Sequence, residues 1–424
     1  MNKFRPEENA LLIWNPSQAR TAYISGEELA ALKQWAENAE AIGTTGFRRG
    51  GNLPPAQAIA ANTQENPATP NPFAERLISL GLITQNDKPA IIKAIKLAET
   101  KKPLHNAFSA PESLHIELTS HCPINCPQCY KYGPKTDLSL KFLLDTIRQA
   151  GEMEVFQIAL GGGEPLIYPH IETVIKEIHS HGMASSITTS GAGLTSNLLT
   201  TLTKAGLNHV QISLNGSINE IHAKSRDGFE HGVAALSLLQ HTNLSYGINW
   251  VARMDNIDDF PALVDLAKAY KAQNINILRY KPSPNESYPT IALSPEKTLL
   301  LEKMIKAAKG INLKLDSAFS HLRCKISGRT SFMSGCGAGR RFLALDSTGA
   351  YRPCSHVAMK EKSPSLRYTW YYSINLVMFR SLGLLITEPC KNCTYLPSCY
   401  GCRAAILGQG DDFYAGDKTC INIK

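Results

Sequence analysis

Cys122, Cys126 and Cys129 stand in the run HCPINCPQCY, a C-x3-C-x2-C triad. Three soft thiolates can hold three irons of a cubane cluster and leave the fourth iron open to a chelating small molecule. The other use of such a triad, a structural zinc site, needs a fourth ligand, and His121 is the nearest candidate. Downstream, FQIALGGGEP (156–165) reads as a strand ending in three glycines. Glycines there let backbone polar groups approach a ligand closely, and Glu164 can accept a hydrogen bond from an ammonium group. VQISLNG (210–216) also ends a predicted strand, with Ser213 and Asn215 alternating with buried positions. Ser190 in TTSG and Arg253 in VARMDN are further polar candidates, for which ordinary loop packing is an equal reading. DNIDD (255–259) reads as a surface turn, and GQGDD (408–412) lacks the full spacing of a calcium loop.

A second concentration of chemistry lies in the tail, where eight of the eleven cysteines fall between Cys324 and Cys420. Cys336, Gly349 and Cys354 form C-x12-G-x4-C, followed by Cys390, Cys393, Cys399, Cys402 and then Cys420. By sequence alone, iron–sulfur clusters and zinc knuckles fit these thiols equally well. The segment has Gly-rich turns and little periodicity, so metal binding would supply much of its folding energy. Eleven cysteines behind an N-terminus without the apolar core of a signal peptide favour metal binding over disulfides, in a reduced cytoplasmic compartment.

These residues need a scaffold, and the middle of the chain predicts one. Strands are expected at 114–119, 155–160, 186–189, 210–214, 247–252 and 275–280, with helices such as 140–150 and 171–182 between them. Strand, crossover helix and strand in repetition argue for α/β architecture with a parallel sheet, here a partial (β/α)6 TIM-like barrel. The polar and glycine-rich residues after several strands place the site at the C-terminal ends of the sheet.

Residues 1–90 read as a separate small domain: a strand ALLIW (10–14), a helix after Ser25, a loose segment at 43–72 and a short helix followed by GLI (81–83). This helix–loop–helix–strand order fits a winged-helix-like module. The full expectation is a domain over 1–90, a linker over 91–110, the barrel over 111–310 and a cysteine-rich domain over 311–424.

A chain of 424 residues with net charge +8 and pI near 8.8 could suggest nucleic acid, but no concentrated basic stripe or tail supports that. Three filled clusters would bring the charge to about +3, which removes the need for such a partner. The stretch 369–387 contains Arg380 and is no convincing membrane span.

The Cys triad together with GGGEP resembles the radical S-adenosylmethionine enzymes. That resemblance implies that Cys122, Cys126 and Cys129 hold a [4Fe-4S] cluster whose open iron is chelated by S-adenosylmethionine, and that one electron then releases a 5′-deoxyadenosyl radical. It implies that Gly162, Gly163 and Glu164 bind the methionyl end, and that Ser213 and Asn215 lie near the ribose and carboxylate. The chain departs from that family where Gln128 replaces the commoner aromatic and where Asn215 replaces an Asp often found in related maturases. The tail resembles the SPASM extension of radical enzymes that modify peptides, except that two residues rather than three separate Cys399 and Cys402. Carried over residue by residue, this implies two auxiliary [4Fe-4S] clusters, Cys324, Cys336, Cys354 and Cys402 on the first and Cys390, Cys393, Cys399 and Cys420 on the second. The N-terminal module resembles, in order and size, the peptide-recognition domain of maturases of ribosomally made peptides.

The resemblance as a whole is to peptide maturases that form cyclophanes, carbon–carbon crosslinks between an aromatic ring and a β-carbon. It implies a precursor peptide with a leader and a low-potential electron donor such as flavodoxin or ferredoxin as partners. Thioether formation, oxidation of Cys or Ser as in sulfatase activation, and a non-catalytic metal-bound peptide scaffold are the competing readings.

Overall fold

In the computed structural model, described residues are 2–7, 10–15, 20–37, 71–98, 104, 106–131, 134–327 and 335–422. The expected loose segment at 43–72 falls almost wholly outside them. The chain divides into two compact units, Met1–Pro103 and Leu104–Lys424.

The first unit has a three-stranded antiparallel sheet, β1 (Lys3–Glu7), β2 (Ala10–Asn15) and β3 (Arg20–Ser25), in that spatial order. Helices Gly26–Glu37, Pro72–Ser79 and Lys88–Ala98 pack with the sheet around Leu11, Ile13, Leu32, Leu77 and Ile91. Asn71 caps the second helix by accepting from the Phe73 and Ala74 amides at 3.1 Å. Residues 81–83, expected as a strand, form a turn that buries Leu82 and Ile83. The third helix runs across position 90, because its apolar face completes the same core.

The second unit is built on a ten-stranded sheet. Its parallel strands are β4 (Ser113–Thr119), β5 (Gln157–Gly162), β6 (Ala184–Thr189), β7 (His209–Ser213), β8 (Ser245–Ala252) and β9 (Asn274–Arg279). These are the six strands that alternation predicts, each moved by a few residues. Beyond them, β10 (Asn312–Leu315) pairs with β9, and β11 (Phe342–Leu345) pairs in parallel with β4. β12 (Ala350–Arg352) and β13 (Glu361–Lys362) then extend the sheet antiparallel. Mixed α/β architecture with a parallel, partial-barrel sheet is therefore observed, and it is longer than six units.

The sheet is apolar on its helix-covered face and polar on the other. Leu114, Ile116, Ile158, Leu160, Val210, Ile248 and Ile275 join helix residues such as Leu143, Ile147 and Ile175 in the main core. On the opposite face Asn249 lies within hydrogen-bond reach of both Thr188 and Asn276, and Gln157 donates to Ser186. A polar sheet face with its own hydrogen bonds suits a ligand cavity better than a packed interior. The tail is more ordered than its composition suggested. Leu343, Leu345, Tyr351, Leu366, Trp370 and Leu376 are part of the barrel's own core, so the segment borrows apolar burial from the barrel. No helix among the described residues is long and apolar enough to cross a membrane.

Candidate functional site

Three loops meet at the C-terminal ends of β4, β5 and β6. The register of β4 against β5 shifts between Glu117 and Thr119, a bulge that turns the chain into the cysteine loop. Gly162 follows at φ +133°, where a side chain would strike the Thr119 carbonyl. The Gly163 amide then donates to Thr119 O at 2.6 Å, and the Glu164 amide to His121 O at 2.9 Å. The glycine run and the cysteine loop are thus zipped together by backbone bonds.

The cysteine loop is tied at several further points. The Ser120 and Thr136 amides close it, donating to Thr136 O at 2.8 Å and to Ser120 Oγ at 2.7 Å. The Gln128 amide donates to Ser225 O at 3.1 Å, the Asn125 amide to Asp227 at 3.2 Å, and Ser283 Oγ to Cys129 O at 3.2 Å. Cys122 and Cys126 are half-buried and Cys129 is exposed. Burial pushes the Cys122 thiol up, and the neighbouring Glu164, Cys126 and Cys129 add to that shift.

Glu164 is wholly buried. Its Oε1 accepts from Thr189 Oγ1 at 2.6 Å and the Leu166 amide at 3.2 Å, and its Oε2 from Ser190 Oγ at 2.6 Å and the Ser190 amide at 2.9 Å. The carboxylate therefore fastens the end of β6 to the glycine run, and Ser190 belongs to this site. Asn215 is equally committed: Nδ2 donates to Ser225 Oγ at 2.8 Å and Oδ1 accepts from the Val251 amide at 3.0 Å. Since Ser225 also accepts from Gln128, Asn215 braces the cysteine loop. Ser213, buried at the end of β7, has no hydrogen-bond partner for its hydroxyl among the described residues.

Arg253 is buried and paired with Asp255 and Glu286 at 2.8 Å, with a further bond to Gln128 Oε1 at 3.3 Å. Residues 255–259 form a turn and a short 3-10 stretch that is exposed only at Asp258. Asn256 is buried and donates to the carbonyls of Asn215 and Val251, while Asp259 accepts from both the amide and hydroxyl of Ser217 at 2.6 Å. Their hydrophilic composition hid this, because Asn256 and Asp259 are spent on neighbouring loops.

The tail cysteines form two groups. Cys354 has Cys336 and Cys402 as its charged-thiol neighbours, and burial pushes its thiol up to about 12 against the opposing pull of Lys281. Arg340 donates to Cys336 O at 3.3 Å and lies over the Tyr400 ring at 4.4 Å. In the other group Cys420 neighbours Cys390 and Cys393, and the Asp417 amide reaches Cys390 Sγ at 3.3 Å. Cys324 lies with this group: its thiol neighbour is Cys393, and Cys399 has Cys324 and Cys420 as neighbours. A buried Arg279–Asp417 pair at 2.6 Å fastens the Cys420 loop to the end of β9.

Tyr130 joins the first loop to the tail. Its ring packs 4.3 Å from that of His356, its hydroxyl reaches Glu117 at 3.3 Å, and Cys129 and Cys354 both act on it electrostatically. Lys131 completes this patch with an ion pair to Glu117. Tyr132 and Gly133 lie outside the described residues. Sequence reasoning missed Glu117, His356 and Lys281, which carry no motif and meet only through the sheet.

Among the described residues, no three His, Cys, Asp or Glu side chains converge closely enough to hold one ion. The thiols instead form looser groups of soft donors, and this donor chemistry suits multi-iron clusters.

Residues 116–267 match the Radical SAM superfamily. The chain carries a radical SAM domain and is a radical SAM enzyme, a class that uses an iron–sulfur cluster with S-adenosylmethionine. It is 26% identical over 329 residues to the PqqA peptide cyclase of Ruegeria pomeroyi, spanning 73% of this chain and 87% of that one. It has the fold of Streptococcus suis SuiB, whose crystal structure bound to S-adenosylmethionine matches with TM-score 0.72 at 18% identity over 99% of this chain and 98% of that one. The SuiB structure bound to its precursor peptide SuiA matches with TM-score 0.69 at 17% identity, over 99% and 100% of the two chains.

Proposed function

We propose that this protein is a peptide maturase that abstracts hydrogen from a core residue of a ribosomally made precursor peptide. The product is an intrapeptide crosslink, a carbon–carbon cyclophane between an aromatic ring and a β-carbon. The observation that carries this reading is Tyr130, which follows Cys129 and packs 4.3 Å from the ring of His356, two residues past Cys354, and so links the triad loop to a tail-cysteine loop. A crosslink needs both ends of that arrangement: a radical forms at one place, and the electron released on ring closure leaves at another.

Bound S-adenosylmethionine would supply the hydrogen-abstracting radical, on a cluster held by Cys122, Cys126 and Cys129. Gly162 and Gly163 would offer backbone to its methionyl end. Glu164 would act by holding Ser190 and the glycine run in place, and Ser213 would offer its hydroxyl to the ribose side. Asn215 would brace the loop from behind. Polar residues on the open sheet face, such as Asn249 and Thr188, would orient the peptide, and the zipped loops would keep water from the reacting carbon. The tail cysteines would hold two auxiliary clusters that accept the released electron.

The first unit, Met1–Pro103, would recognise the leader; in the second unit the parallel strands would carry the radical site and the residues after about 311 the auxiliary clusters. An extended leader would add to the three-stranded sheet by main-chain pairing, which raises the local concentration of the core peptide. Support comes from the named activity of the Ruegeria relative and from the SuiB fold with its bound precursor peptide. A flavodoxin or ferredoxin would deliver the electrons.

The test uses precursor peptide deuterated at the β-carbon of candidate core residues. Deuterium appearing in 5′-deoxyadenosine, with loss of two hydrogens from the peptide, supports the crosslink. A matched peptide deuterated at the α-carbon is run beside it, and deuterium transferred only from that peptide would overturn the reading in favour of thioether formation or epimerisation.

A further inference from the structure

The two tail groups divide eight thiols unevenly. Ser320 Oγ lies 3.0 Å from Cys399 Sγ, and Ser320 begins the helix Ser320–Ser327. Cys324 is one turn further along, on the same helix face as Ser320. It is wholly buried. Asn422, two residues past Cys420, donates to His321 O at 2.8 Å and pins the start of this helix to the Cys420 loop. Cys324 is therefore held against Cys399 and the Cys420 loop. Five thiols gather there, and only Cys336, Cys354 and Cys402 remain for the other group. The chain has no twelfth cysteine.

A side chain two residues past Cys354 has an unused donor atom. His356 Nδ1 is buried without a hydrogen-bond partner. Its loop is tightly constrained: the Val357 amide donates to Cys354 O at 3.3 Å, and the His356 amide lies 3.5 Å from Cys354 Sγ. Arg352, paired with Asp346, also holds Val357 O at 3.2 Å. The Tyr130 ring covers the imidazole at 4.3 Å. A buried imidazole nitrogen with no protein partner, in the loop that carries Cys354, has a lone pair to offer a metal held by those thiols.

We propose that the first auxiliary cluster is held by Cys336, Cys354, Cys402 and His356 Nδ1, and that Cys324 belongs to the second thiol group. This rests on the cluster reading above. Imidazole in place of thiolate leaves the cluster one unit less negative, which raises its potential and suits an electron acceptor. Tyr130, packed at a tilt against this ligand and adjacent to Cys129, would then link the two cluster loops by one aromatic contact.

The experiment uses the full chain, anaerobically reconstituted, reduced and saturated with S-adenosylmethionine so that the radical cluster has no open iron. Pulsed magnetic resonance is recorded on protein labelled with 15N-histidine and on samples given 13C-cyanide. Expected are a strong 15N coupling on an auxiliary signal in the wild type and its loss in His356→Ala. A 13C coupling should appear in His356→Ala and be absent from the wild type. Cys324→Ala should leave the 15N-coupled signal unchanged, whereas Cys336→Ala should abolish it. A wild type with 13C but no 15N coupling would mean an open iron and would overturn the histidine ligand. Disturbance of the 15N-coupled signal by Cys324→Ala would overturn the three-thiol assignment. A wild type with only about four irons per chain would instead reject the auxiliary clusters themselves.

Discussion

Glu164 Oε2 accepts from both the hydroxyl and the backbone amide of Ser190, at 2.6 and 2.9 Å, in a fully buried pocket. With Thr189 and the Leu166 amide on Oε1, the carboxylate has four donors from its own chain. Its role in this geometry is to lock the β6 end onto the glycine run. Glu164→Gln would turn an amide donor toward one of those donors. Losing a charge-assisted bond costs about 2 kcal/mol, so amide exchange at Ser190 should quicken roughly 30-fold. Exchange at that amide equal to wild type, measured by hydrogen–deuterium exchange, would mean that the carboxylate does not hold the strand end.

Gly161 and Gly163 should respond oppositely to a methyl group. A Cβ at Gly163 would lie 2.7 Å from the His121 carbonyl carbon and 2.9 Å from that of Ser120, and backbone there cannot step aside cheaply. At Gly161 a Cβ would meet nothing within 4 Å. Gly163→Ala should lower the melting temperature and cut deoxyadenosine formation at least about tenfold, equivalent to roughly 1.4 kcal/mol. Gly161→Ala should keep the wild-type melting temperature. If its Cβ enters ligand space, its S-adenosylmethionine affinity should fall without unfolding.

The six central strands were legible because each alternates between a helix-covered apolar face and a polar one. The strands β10 to β13 were not, since Asn312–Leu315 and Phe342–Leu345 are too short for a period and acquire their identity by pairing with β9 and β4. The cysteine and glycine motifs marked the site, but the partners of Glu164 and Asn215 did not show in sequence. Thr189, Ser190 and Ser225 are ordinary polar residues whose importance comes from the loops that bring them together. The same holds for Asn256, which looked solvated and is buried.

Buried histidines give the fold a defined acid sensitivity, with His115, His321 and His356 lowered by burial alongside His209 and His222. Burial, aided by Lys314, lowers His209 to about 4, and Gln211 donates to its Nε2 at 2.6 Å. Burial, aided by Arg226, lowers His222 to about 4, and its Nδ1 accepts from the Asn215 amide at 3.1 Å. Above about pH 6.5 all are neutral whether folded or unfolded, so they add no pH dependence. Between about pH 6.5 and 4 the unfolded chain takes up protons that the folded chain refuses, so stability falls as pH falls. Denaturant midpoints measured across this window should slope accordingly, and His209→Gln should flatten the slope. A midpoint independent of pH over that range would contradict the burial of these imidazoles.

Asn215 reaches the cysteine loop through Ser225, which accepts from Asn215 Nδ2 at its hydroxyl and from the Gln128 amide at its carbonyl. A carboxylate at this position could keep the Val251 bond and accept from the Ser225 hydroxyl turned round, because a hydroxyl both donates and accepts. Asn215→Asp should therefore bind iron at the wild-type level. Asn215→Leu would strand the Val251 amide and free Ser225, at a cost of about 1–3 kcal/mol for a buried unsatisfied donor. The Gln128 segment would then lose its brace, and iron bound at Cys122, Cys126 and Cys129 should fall, together with deoxyadenosine formation. Iron counting on both variants in a background lacking the tail cysteines Cys336 and Cys390 isolates that site. Equal loss in Asn215→Asp and Asn215→Leu would mean that Asn215 contacts the cofactor directly through its amide and not through Ser225.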